Sequence, residues 1–164
     1  VRISAKVDYA LRAMAQLAAH PTGGPVKAEQ LGRDQEVPVT FLLGILNDLK
    51  QARLVRSQRG TEGGYALARP AAEISLADVI RAIDGPLANV HDTSLSSLAY
   101  RGPAAPLVEI WMAVRTALRS VLERVTLADL AAGRLPPEVA AMAAEYRATE
   151  RRRRGPLPRS TARS

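Results

Sequence analysis

Cysteine is absent from all 164 residues. That removes disulfides, thiolate nucleophiles, zinc–thiolate sites and cysteine-ligated iron–sulfur clusters together. Only two histidines occur, His20 and His91. A metal site needs three or four ligands, so neither a metal nor a cofactor is expected. No Ser–His–acid spacing stands out, and no glycine loop opens a helix after a strand, so an enzyme is not expected. No run of 18 apolar residues is present, which excludes a helical membrane span. The start, VRISAKVDYA, is amphipathic and opens a folded element rather than a signal peptide. The expectation is a soluble, cytoplasmic chain with no membrane partner.

Charge is unevenly placed. The net charge is +7. Residues 1–70 hold 10 Lys and Arg against 6 Asp and Glu, residues 71–150 hold 7 against 10, and residues 151–164 hold 6 Arg and no acid. A basic first part beside an acidic middle suggests one face made for a polyanion. The tail, with Arg151 to Arg154, is either solvated or neutralises phosphates.

Helical spacing is clear in several places. Val7, Ala10, Leu11, Met14, Leu17 and Ala18 predict a helix over 4–19 with Ser4 as N-cap and Asp8 near the positive end of its dipole. A loop at 20–25 and a short helix over 27–33 follow, with Ala28 and Leu31 inward. After a tight connection at 34–37, Pro38 suits the first turn of a helix running to about Ala52. Leu42, Ile45, Leu46 and Leu49 form its buried stripe. Thr40, Phe41, Gly44, Asn47, Asp48 and Lys50 lie off it, and Leu43 is ambiguous. Two short-linked helices, the second with a polar outer face, are the helix-turn-helix pattern, although any αα-hairpin would look similar.

The next segment is more specific. Strands at 54–57 and 65–67 flank the tip Gln58-Arg59-Gly60-Thr61-Glu62-Gly63-Gly64. Glycines let backbone approach a phosphate, and an arginine there suits a narrow minor groove. The expected fold is therefore mostly α with a small β-hairpin wing, a winged helix-turn-helix. Ser75-Leu76-Ala77-Asp78 opens a helix to Asp84 with a capping-box variant, predicted to bury Leu76, Val79, Ile80 and Ile83. Residues 87–103 show no strong period. A long helix is predicted from about Pro106 to Val125, on Leu107, Ile110, Trp111, Val114, Leu118, Val121, Leu122 and Val125. A short helix opened by Thr126 and closed by Gly133 follows, then an Ala-rich helix from Pro136 that frays through the arginines. The segments read as a DNA-binding domain at 1–85, a connecting loop at 86–105, dimerisation elements at 106–133, and a helix with a basic disordered tail at 134–164.

Several stretches in combination resemble a known bacterial family: Arg2-Ile3-Ser4-Ala5-Lys6, Tyr9-Ala10-Leu11, Val26 to Leu31, Val37 to Leu42, Leu54 to Gly60 with Gly63-Gly64-Tyr65, and Ile74 to Ile80. Together they are similar to the Rrf-two family of winged-helix transcription regulators over roughly residues 2–132. The resemblance implies a homodimer crossing at the helix 106–125 and bound to operator DNA. It places Arg2, Ser4, Lys6 and Tyr9 at phosphates and Thr40, Phe41, Gly44, Asn47 and Lys50 along the major groove. Ser57, Arg59 and Gly60 would meet phosphate or minor groove. The dimer interface would hold Leu107, Ile110, Trp111, Val114, Leu118, Val121 and Leu122. A sequence-specific regulator, acting as a repressor, is the expected function. A DNA-binding module without sensing, architectural or anchoring a partner protein, is the alternative.

Sensing members of that family place three cysteines in the loop that is 87–105 here, and this loop has none. Asp8 falls where some relatives supply a carboxylate ligand, but one carboxylate cannot hold a cluster without thiolates. Any signal must act by a non-thiol route. The expected place for an unknown small-molecule effector is a pocket of His91, Tyr100 and Trp111, although Trp111 also fits the dimer core. Purified protein should therefore be colourless and free of stoichiometric iron. Its DNA binding should not change with nitric oxide or oxidant. An iron assay with an absorbance spectrum checks this, and a visible band bleached by nitric oxide would overturn it.

Overall fold

The computed structural model describes residues 3–20, 22–87 and 94–154. The elements in order are α1 (Ala5–Ala19), α2 (Ala28–Gln35), α3 (Val39–Gln51), β1 (Val55–Gln58), β2 (Gly64–Leu67), α4 (Leu76–Asp84), α5 (Leu107–Leu122), α6 (Leu127–Ala131) and α7 (Pro137–Arg154). Single 3-10 turns sit at Ala71–Glu73, Leu95–Ser97 and Gly102–Ala104. The fold is mostly helical with a two-stranded antiparallel wing. Among the described residues, no helix is long and apolar enough to cross a membrane.

Two units are distinct, residues 1–134 and residues 135–164. In the first, α1 is the hub and packs against α2, α3, α4, α6 and β2. Its inner face is Val7, Ala10, Ala13, Met14 and Leu17. Alanine at two of these positions lets neighbouring helices come close, and Met14 fills the irregular space between them. The α3 stripe of Leu42, Ile45, Leu46 and Leu49 is fully buried beneath it. Ser4 caps α1 as predicted, accepting the Val7 N–H at 3.1 Å.

Pro38 stands one position before α3, and its carbonyl accepts from the Phe41 and Leu42 N–H groups. The wing pairs Val55 with Leu67 and Ser57 with Tyr65. Val26, in the loop before α2, bonds both ways to Tyr65 at 2.8 Å and so forms a single β-bridge at the wing's root. This bridge explains Gly64. Its φ is +149°, and a Cβ there would lie 2.5 Å from the Val26 carbonyl oxygen.

Two capping boxes of the same form meet back to back. Ser75 and Asp78 open α4, and Thr126 and Asp129 open α6. The Leu76 N–H donates to Val125 O and the Leu127 N–H to Ile74 O, both at 2.9 Å. Leu127 and Ile74 are fully buried. Asp129 is held below the ordinary carboxylate range by the Thr126 N–H and then its hydroxyl. Glu123, just past α5, is lowered by hydrogen bonds from Arg81 and then Arg119, which fastens α4 to the end of α5.

Three expectations are corrected. The stripe of α5 was expected to run through Val125, but the helix stops at Leu122, and Val125 is buried beyond it with its carbonyl accepting the Leu76 N–H. Leu76, Ile80 and Ile83 are half-buried rather than buried, and only Ala77 and Val79 of α4 are enclosed. The nine-residue α4 packs on α1, α3 and α5, and α5 itself buries no residue. The second unit contains α7, which stays helical through Arg154 instead of fraying. Arginine is a good helix former, and cations suit a helix C-terminus.

Gly64→Ala should destabilise the protein by at least about 2 kcal/mol, from the strained backbone and the clash at Val26. Urea denaturation measures it; an unchanged midpoint would contradict this account of the wing root.

Candidate nucleic-acid interface

The turn between α2 and α3 is closed by the Val37 N–H on Gly32 O at 2.9 Å, with Glu36 left-handed at φ 54°. That geometry presents the polar side of α3 to solvent. Thr40, Phe41, Gly44, Asn47 and Lys50 are all exposed, as is Leu43, the residue the periodicity left ambiguous. Gly44 is informative. A Cβ at this position would meet nothing within 4 Å, so the fold does not require glycine there. Glycine in a helix interior costs about 1 kcal/mol relative to alanine. The vacant space suits the close approach of something outside the chain.

Residues expected at phosphates already serve α1. The Ser4 hydroxyl donates to Asp84 at 2.9 Å, linking α1 to the last residue of α4. Lys6 pairs with Asp48 of α3 at 2.7 Å. Tyr9 meets Phe41 edge-on, with ring centroids 5.7 Å apart. Arg12 lies over the Tyr9 ring at 5.6 Å, pairs with Asp8 at 3.5 Å and donates to the Gln35 carbonyl. The structure therefore brings Lys6, Tyr9, Phe41 and Asp48 into one cluster that fixes α3 on α1. Arg12 belongs to it through Tyr9 and Asp8 on its own helix and through the distant Gln35 carbonyl; sequence reading missed it, although its spacing from Asp8 and Tyr9 was a signal that could have found it. Arg2 lies outside the described residues.

On the wing, Ser57, Arg59 and Gly60 are exposed, and the Gly63 N–H closes the tip on Gly60 O at 3.0 Å. Arg56 is also exposed on β1; strand alternation after the buried Val55 could have found it. Glu62 is the one acid at the tip.

Farther along, the Leu95–Ser97 turn packs on α5. Tyr100 and Trp111 are half-buried, and His91 lies outside the described residues. The Trp111 indole N–H is shielded from solvent and has no acceptor among the described residues. Of the expected dimer residues, Ile110 is 49% exposed, and Leu107, Trp111, Val114, Leu118, Val121 and Leu122 are half-buried.

Comparison with known proteins agrees with this layout. The sequence model of the family Rrf2, described as "Iron-dependent Transcriptional regulator", matches residues 3–133. A "Putative HTH-type transcriptional regulator" of Mycobacterium tuberculosis (strain H37Rv) is 54% identical over 155 residues, covering 94% of this chain and 96% of the relative. The HTH-type transcriptional regulator CymR of Bacillus subtilis is 32% identical, covering 80% and 90%. The solved structure of that CymR, called the global cysteine regulator of B. subtilis, superposes with a TM-score of 0.68 at 33% identity, over 80% of this chain and 97% of the other. The structure of IscR from T. potens gives 0.62 at 32% identity, over 79% and 85%.

The iron in the family's description does not fit this chain. An iron–sulfur cluster is held by thiolates, and the sequence has no cysteine. Among the described residues, no three His, Asp or Glu side chains converge as metal ligands. Asp8, the carboxylate nearest in role, is paired with Arg12. The helix-turn-helix, the wing and the similarity along most of the chain lead to one assignment: this chain belongs to the Rrf2 family, as a cysteine-less, DNA-binding winged helix-turn-helix transcriptional regulator and not an enzyme.

Proposed function

We propose that the protein is a homodimeric repressor that binds a two-half-site operator without an iron–sulfur cluster. The observation that carries the dimer is α5. Its 16 residues include Leu107, Ile110, Trp111, Val114, Leu118, Val121 and Leu122, yet none is buried. A second copy placed across a two-fold axis would cover that stripe and set two recognition helices about one duplex turn (~34 Å) apart. Residues 1–85 then bind DNA and 106–133 dimerise.

In this reading α3 enters the major groove, with Thr40, Phe41, Gly44, Asn47 and Lys50 along it. Ser57, Arg59 and Gly60 reach phosphate or minor groove, and Arg2, Ser4, Lys6 and Tyr9 flank the backbone. The exposure of Arg59 and the vacant space over Gly44 support it. An effector pocket at His91, Tyr100 and Trp111 is favoured by the Trp111 N–H, which is shielded from solvent and has no acceptor among the described residues, and which a ligand acceptor would satisfy. A ligand that shifts operator affinity separates this regulator from a non-sensing architectural module.

Log affinity for duplex DNA should fall with log salt at ~0.9 per neutralised phosphate. Arg59→Ala should cost about 1.5–3 kcal/mol of operator binding, tenfold or more, with the melting temperature unchanged. Fluorescence anisotropy across a salt series tests both; salt-independent binding rules out this mode, and an unchanged affinity rules out the wing contact.

Asp48→Asn should cost less than about 1 kcal/mol of stability, since the Lys6–Asp48 pair is a third or more exposed. It should tighten binding to every duplex, because an acid leaves the DNA-facing side and Lys6 is released. Weaker binding by a folded variant would instead make the pair a positioning device.

Leu118→Glu would bury a charge between two copies of α5 and should give monomers or aggregates. Sedimentation is the check: a monomeric wild type at micromolar concentration would contradict the dimer.

A further inference from the structure

We infer that Leu43 reads the C5-methyl group of a thymine in each operator half-site. The inference rests on the proposed entry of α3 into the major groove and adds the chemistry of what it selects there. Thr40, Gly44, Asn47 and Gln51 follow the spacing i, i+4, i+7, i+11 and form the outer line of α3. Phe41 and Asp48 flank that line on the side of α1, where both have partners, Tyr9 and Lys6. Leu43 flanks it on the opposite side, together with Lys50. It is 44% exposed and belongs neither to the core nor to the half-buried layer around it.

A lone leucine on a surface needs no explanation. A leucine on the flank of a face that docks on base edges does, because docked DNA would strip its water. Of the groups displayed in the major groove, only the thymine methyl is apolar. Against guanine or cytosine, Leu43 would desolvate donors and acceptors without replacing their hydrogen bonds. Gly44, next in sequence, presents no side chain, so the helix can seat deeply enough for a short aliphatic group to reach the methyl. Leu43 thus selects by apolar contact, while Thr40 and Asn47 supply the hydrogen-bonding groups beside it.

The test begins with the full chain and a random duplex library, from which a preferred site is selected. Each thymine of that site is then replaced singly by deoxyuridine, which removes the methyl and leaves base pairing intact. One thymine per half-site should show about fourfold weaker binding, the value of one buried methyl. Leu43→Ala and Leu43→Gln, both on an exposed helical surface, should bind the thymine and deoxyuridine duplexes equally. The inference is overturned if the wild type is indifferent to deoxyuridine at every position. It is equally overturned if both Leu43 variants keep the loss, or if the loss disappears with Phe41→Ala instead. Those three results leave operator binding standing, whereas failure to select any sequence overturns both.

Discussion

Everything in the first unit depends on α1 being enclosed. Its face of Val7, Ala10, Ala13, Met14 and Leu17 is buried by five other elements at once. The helix-turn-helix alone would be too small to form a stable core. Covering α1 with α4 and α6 as well as α2 and α3 gives the DNA-binding layer a rigid backing. The same helix carries Lys6, Tyr9 and Arg12 on its outer side, so the element that holds the core together also sets the position of α3.

That double use shapes the interface. Lys6, Tyr9 and Ser4 point toward α3 and α4 and are tied there by an ion pair, a ring contact and a hydrogen bond. The exposed side of α3 is left with small, amide, aliphatic and aromatic groups, and its one acid is neutralised from α1. Cationic character is instead concentrated on the wing and at Lys50. Such a division suits a protein whose affinity comes from phosphates and whose selectivity comes from a few base-edge groups.

Local features were legible because they are written in short-range spacing. The stripe Leu42, Ile45, Leu46 and Leu49 is fully buried, the Ser75–Asp78 box forms, and the glycine-rich tip is a hairpin. What escaped are pairings between distant positions: Lys6 with Asp48, Ser4 with Asp84, Arg81 with Glu123, and Val26 with Tyr65. No periodicity encodes these. The half-burial of Leu76, Ile80 and Ile83 was missed for a related reason, since apolar spacing tells which side of a helix faces inward but not how completely neighbours cover it. Leu43 was ambiguous because its angular position lies at the edge of the apolar stripe, where only the packed structure separates core from surface.

The two back-to-back capping boxes have a mechanical consequence. The chain leaves α5, crosses at Val125 and Thr126, and is locked to Ile74 and Leu76 before Leu127 enters the buried layer beneath α1. Arg81 pairs with Glu123 beside that crossing. The end of α5 is thus joined to the layer beneath α1 by two backbone hydrogen bonds and an ion pair, and a displacement of α5 would be felt first at Ile74 and Leu76.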